Sequence, residues 1–213
     1  MPILVGGTGL YLRTLLEGIA PVPPIDAEVR TTVRGRSVEE NRSELAKLDP
    51  GAAARLNPAD TARIARALEV VMSTRRPLAD WQRERVGGIS AAVDPRPLIL
   101  LPPRDWLYDR CDKRFVDMID RGAVDEVKAL IARRLNPDLP VMRGIGVPEI
   151  SAYLGGESTL PETIAAGQQA TRRYAKRQYT WFAHQPPADW PRFTKPLETE
   201  NLAAALALLE PNG

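Results

Sequence analysis

The sequence has one cysteine, Cys111, and one histidine, His184. A single thiol excludes an internal disulfide framework and fits a reducing cytoplasm. Cys111 sits in a helical pattern among apolar neighbours and reads as a structural thiol. A single imidazole argues against a histidine-based metal site or a Ser-His-Asp triad, and His184 reads as a surface residue. No apolar run approaches the ~20 residues of a membrane span. The start has no basic region followed by a long apolar core, so no signal peptide is expected. Charge of one sign is also scarce: 29 Lys and Arg against 27 Asp and Glu leave a net +2, so an anionic partner must be met by a local basic patch. No Gly-Lys pair occurs, which excludes a P-loop of the G-x-x-x-x-G-K-[ST] type within these residues.

Proline is abundant. Twenty prolines punctuate 213 residues into segments. Pro2 to Gly7 is a continuous apolar run and predicts a short buried strand. It meets the turn Gly6-Gly7-Thr8-Gly9 and then a helix through Gly18, with Leu10, Leu12, Leu15 and Leu16 expected inward. The connector "IAPVPPID" marks a domain boundary. From Asp26 to about Arg85 the pattern is helical. In "NPADTARIARALEVVMSTRRP", Asn57 is expected to cap, Pro58 to take the first helical position and Asp60 to sit in the first turn. Ile64, Leu68 and Val71 should face inward, with Pro77 as the stop.

Leu98 to Leu101 is the other strong strand signal. Helices are expected over "DWLYDRCDKRFVDMIDRG" and "AVDEVKALIARRL", and "MRGIGVPEISAYLGG" reads as a loop entering a short helix. Thr159 and Glu162 form a capping box for a long helix with Ile164, Gln168, Thr171, Ala175, Gln178 and Phe182 on one face. After Pro186 the chain reads as peripheral. Buried parallel strands alternating with helices imply an α/β fold, yet two strands cannot complete a parallel sheet, so sheet is expected to be missing.

Four stretches carry chemistry. Glycines after a strand let backbone N–H groups approach an oxyanion, and the Thr8 hydroxyl suits a phosphate or an amine; a tight turn needing positive φ is the alternative. Arg172, Arg173, Lys176 and Arg177 form one cationic helix stripe interleaved with Tyr174, Tyr179 and Trp181, which suits a phosphate backbone and an unstacked base; a solvated basic face is the alternative. Arg143, in a glycine-bearing loop, suits a diphosphate or is a surface arginine. Arg63 and Arg66 lie on the exposed face of the capped helix, for RNA or for salt bridges with Asp60 and Glu69.

In this order, "PILVGGTGLYLRTLLEG", "AARLNPADTARIARALEV", "RFVDMIDRGAVDEV", "MRGIG" and "TRRYAKRQYTWF" resemble the bacterial tRNA dimethylallyltransferase family, the tRNA isopentenyltransferases, from Pro2 to about Trp190. The resemblance implies an α/β protein with an incomplete P-loop-NTPase-like parallel sheet core and a helical insertion domain. It divides the chain into core at 1–21, a helical tRNA-binding insertion at 22–94, core again at 95–190, and a peripheral tail at 191–213. It implies a cytoplasmic monomer that uses dimethylallyl diphosphate and Mg2+ on the anticodon stem-loop of tRNA, at the N6 amine of the adenosine next to the anticodon, position 37, which is turned out of its stack. Residue by residue, it assigns Thr8 and Arg143 to the reaction. It assigns Arg30, Ala62, Arg63, Ile64, Ala65, Arg66, Arg172, Arg173, Tyr174, Ala175, Lys176 and Arg177 to tRNA contact.

The sequence departs from the family at three places. Ala62 stands for a glutamine, Asn57-Pro58-Ala59-Asp60 for His-Pro-Asn-Asp, and Val147 for the tyrosine of Gly-Tyr. The family's P-loop and the Asp motif of its second strand would lie about a hundred residues before Gly6, so an N-terminally shortened member is expected, with an exposed strand edge and apolar face and no transfer activity alone. A non-catalytic RNA-binding fragment and an adenylate isopentenyltransferase are the alternative readings.

Overall fold

Helix-start chemistry sets most element boundaries in the computed structural model, which describes residues 2–210. Met1 and residues 211–213, included in the expected first and last segments, lie outside the described residues. The chain divides into two units: Leu10–Pro95, and the residues up to Gly9 together with those from Arg96 onward.

The helical unit opens with α1 (Gly9–Glu17). Gly18 follows at φ +89°, which lets the chain turn so that Ile19 and Val86 form an antiparallel bridge. The Asp26 carboxylate accepts from the N–H groups of Glu28 and Val29 and starts α2 (Ala27–Gly35). Ser37 and Glu40 close a capping box on α3 (Val38–Leu48). Asp49 ends α3 and caps α4 (Pro50–Arg55) by accepting from Ala52 N–H. Helices α5 (Thr61–Thr74) and α6 (Leu78–Trp81) follow.

The helix α5 starts at Thr61, not at Pro58. Asp60 is the cap, accepting from Arg63 N–H, while Asn57 turns its carbonyl oxygen onto Ala59 N–H and shapes the preceding turn. Two potential caps three residues apart compete, and the one nearer the apolar repeat prevails. That repeat packs as expected: Ile64, Leu68 and Val71 are buried with Val33, Leu45, Ala52 and Ala67. Each fully buried aliphatic side chain in such a cluster stabilises by about 1.5–3 kcal/mol.

In the second unit, β1 (Ile99–Leu100) precedes α7 (Arg104–Asp120), α8 (Ala123–Ala132), α9 (Val147–Leu154) and α10 (Leu160–His184). Strand β2 (Arg192–Phe193) and α11 (Leu202–Ala207) follow. The two strands pair in parallel, Ile99 opposite Arg192 and Leu100 opposite Phe193. The region after Pro186 is therefore more than peripheral. Phe193 is buried, and its backbone supplies the partner that β1 needs. Helix α10 starts at the expected capping box and packs on α7 and α9. Gly167 lets α10 approach α7 closely, since a Cβ there would lie 2.0 Å from the Phe115 ring.

Residues 2–6 are not a strand. Ile3, Leu4 and Val5 are exposed, as are Leu10 and Leu15 of α1, which were expected inward. Ile3, Leu4 and Val5 form an exposed apolar stretch, without the strand edge expected there. Apolar residues read as buried strand only when neighbouring strands exist to bury them, and the observed sheet contains β1 and β2 alone among the described residues.

Candidate nucleic-acid interface

The cationic run of α10 spans one and a half turns. Arg173, Lys176 and Arg177 are exposed. Arg172 is not part of that free stripe. Its Nη1 donates to both carboxylate oxygens of Asp112 on α7, at 2.5 and 2.6 Å, and both side chains are about two-thirds covered. Asp112 lies 60 residues away, so a helix that reads as purely cationic loses one charge to tertiary contact. The Arg177 guanidinium lies over the Tyr174 ring, 5.5 Å from its centroid, and Arg104 covers Tyr179 at 4.9 Å. Ala175 is half-buried. The neighbouring Cys111 thiol is pushed up in pKa by burial and by the Asp112 charge, which keeps it protonated and inert.

The glycine turn sits against this helix. A Cβ at Gly7 would lie 2.5 Å from Gln178 Nε2, and one at Gly9 would lie 2.2 Å from the Trp181 ring. The indole ring makes glycine necessary at Gly9, whereas the flexible end of Gln178 could give way to a side chain at Gly7. The structure thereby brings Thr8, which is exposed, beside the C-terminal half of α10. The sequence distinguishes neither contact, because positive φ and close approach select the same residue. Here it is close approach.

Arg143 ends a 3-10 turn, Pro140–Arg143, packed on α9. It is exposed and paired with Asp138. Among the described residues, its ion-pair partner is Asp138, not Thr8 or an α10 cation.

In the helical unit, Arg63 and Arg66 project from α5, and Arg30 and Arg34 follow one another by a turn of α2. Arg63 bridges Asp60 at 3.3 Å, and Arg66 approaches Glu69 at 3.8 Å. The salt-bridge alternative thus holds for both, without removing their exposure. Ala62 is exposed, Ala65 half-buried and Arg30 exposed. Ile64 is 1% exposed and belongs to the core, so its side chain serves the fold, contrary to its assignment to tRNA contact. Arg34 and Arg36, unassigned from sequence, line the same surface as Arg66. The i, i+4 spacing of Arg30 and Arg34 was the available signal.

No helix among the described residues is long and apolar enough to cross a membrane. No group of three or more His, Cys, Asp or Glu among them is placed to hold a metal ion.

The described chain has a two-stranded parallel sheet with flanking helices, a separate helical unit and cationic helix surfaces in both, and its solved structural neighbours place it in the α/β, P-loop-NTPase-like class of fold. The family model described as IPP transferase matches residues 1–185. The chain belongs to the IPP transferase family. It is 63% identical over 209 residues to a tRNA dimethylallyltransferase of Sphingopyxis alaskensis, covering 97% of this chain and 68% of that one. It is 64% identical over 192 residues to the tRNA dimethylallyltransferase of Erythrobacter litoralis, covering 90% of this chain and 61% of the relative. Its fold is similar to that of a full-length tRNA isopentenylpyrophosphate transferase from Bacillus halodurans, with TM-score 0.56, 29% identity, 95% of this chain and 64% of that chain covered. It is also similar to a eukaryotic dimethylallyltransferase acting on tRNA, with TM-score 0.65, 27% identity, 84% of this chain and 46% of that chain covered. The chain thus spans about two thirds of the length of these curated relatives.

Proposed function

We propose that this protein modifies tRNA in the cytoplasm, as a monomer, by transferring the dimethylallyl group of dimethylallyl diphosphate to N6 of adenosine 37 beside the anticodon. The observation that carries this is 63% identity to a tRNA dimethylallyltransferase across nearly the whole of this chain. Transfer forms a bond from N6 to the allylic carbon, breaks that carbon's bond to diphosphate oxygen and releases a proton. The interactions that count most are those meeting the charge that develops on the diphosphate. Arg143 has the residue type and exposure for that role, by exchanging Asp138 for the anion. Thr8 stands beside Gln178 and Trp181, where a hydroxyl orients the amine of an extruded base. Arg173, Lys176 and Arg177 with Tyr174, and in the helical unit Arg30, Arg63 and Arg66, supply phosphate contacts.

Magnesium belongs to this chemistry as counter-charge to diphosphate. Among the described residues no group of three or more His, Cys, Asp or Glu is placed to hold it, and a Mg2+ that rides on the diphosphate needs only one or two protein carboxylates.

Deleting the gene and digesting bulk tRNA for mass spectrometry tests the proposal. N6-dimethylallyl adenosine should disappear and return with a plasmid copy. Unchanged modification in the deletion strain overturns it.

A further inference from the structure

The helical unit has a groove of about 380 Å³ where the end of α2, the start of α3 and the start of α5 converge. Arg34, Arg36 and Arg66 line it, and Glu69 lies at its base. Glu69 is 2% exposed and is the one acid among the core-buried side chains of α5. Its Oε1 accepts from Arg34 Nε at 3.0 Å, and its Oε2 lies 3.8 Å from Arg66 Nη1. The two arginines come from different helices and are 67% and 43% exposed.

Stability does not call for an acid here. Burying a carboxylate between partly exposed guanidinium groups is close to neutral, and an apolar side chain of similar volume does as well or better. What the carboxylate does accomplish is geometric. It holds two long cationic side chains, each with rotamer freedom to lose, at one mouth of the groove. Arg34 is engaged through Nε, so the hydrogen bond to Glu69 does not use its terminal Nη donors.

We infer that Glu69 is a positioning residue that sets Arg34 and Arg66 to receive one backbone phosphate of the bound RNA in this groove. This rests on the RNA-binding reading above and adds Glu69 and Arg34 to it. Removing Glu69 raises the net charge by one, which by itself strengthens binding to a polyanion. Loss of positioning weakens it. The sign of the change therefore separates the two roles.

The test titrates a labelled anticodon stem-loop RNA into the full 213-residue chain at several salt concentrations. The variants are Glu69→Gln, Glu69→Met, Arg34→Ala and the pair Glu69→Gln with Arg34→Ala; circular dichroism and a thermal melt establish that each is folded. Glu69→Gln and Glu69→Met should bind about tenfold more weakly despite the added positive charge, as for loss of a charge-assisted hydrogen-bonded contact. Arg34→Ala, on an exposed side chain, should lose a similar factor, and the pair should be no worse than either alone. Unchanged or tighter binding by a folded Glu69 variant, or parent affinity in Arg34→Ala, overturns the inference. The double variant Lys176→Ala with Arg177→Ala, on α10, separates the levels. If it weakens binding while the Glu69 variants do not, RNA binding stands and the role of Glu69 falls; a parent that binds no stem-loop overturns the RNA reading itself.

Discussion

The two units of this chain close their cores by different means. In Leu10–Pro95, four capped helices bury Val33, Leu45, Ile64 and Leu68 to 1% exposure or less. In the other unit the sheet is two residues deep on each strand, and Ile3, Leu4 and Val5 stand 64–89% exposed. Helices satisfy their own backbone and need only a stripe of neighbours, so a short helical segment completes a core by local packing. A parallel strand satisfies nothing alone; it needs a partner on each side and a layer on each face. The same residue types are therefore core in one region and surface in the other.

Truncating the core should separate the regions most. Leu68→Ala should cost about 2–5 kcal/mol, while Val5→Ala, at a position 89% exposed, should stay within about 0.5 kcal/mol. Denaturant midpoints measure both, and similar costs would erase the comparison. Next is Gly9→Ala. It places a methyl 2.2 Å from the Trp181 ring and should cost about 1–3 kcal/mol with a shifted tryptophan emission. An unperturbed spectrum would show that the turn does not rest on α10.

Cap removal at Asp60 should cost about 0.5–2 kcal/mol, and the loss should appear as fraying at Thr61–Arg63 in amide exchange. For RNA, Lys176→Ala with Arg177→Ala should lower the salt slope of stem-loop binding by about two units, since both are exposed. Arg172→Gln should lower it less, because that guanidinium already holds Asp112. An equal drop would put Arg172 on the RNA.

The smallest effect concerns pH. Hydrogen bonds from the backbone and side chain of Ser37 hold Glu40 below the usual carboxylate range, and Thr159 does the same for Glu162. Their folded values are depressed, so the stabilisation is present above the ordinary glutamate value of about 4.3 and is lost as pH falls through the folded values. Acidification below that point should fray the first turns of α3 and α10 together, one in each unit, by amide exchange. Fraying of one alone would mean that the capping boxes are not equivalent.

What depends on residues a few positions apart is legible in the order of the chain. The Thr159–Glu162 box, the buried repeat Ile64, Leu68 and Val71, the strand at Ile99–Leu100 and the ordered motifs of the family are all of this kind. Their partners are close in the chain, so spacing reveals them. What depends on residues brought together from far along the chain emerges only in the folded molecule. Asp112 takes Arg172 from the cationic stripe, Arg192–Phe193 pairs with β1 from more than ninety residues on, and Trp181 settles why Gly9 is glycine. Arg34 and Arg66 converge on Glu69 in the same way, and Ile3–Val5 are exposed because no strand among the described residues pairs with them. Burial and charge pairing are properties of neighbours in space, and hydrophobic pattern alone names the residues that need a neighbour without saying which one arrives.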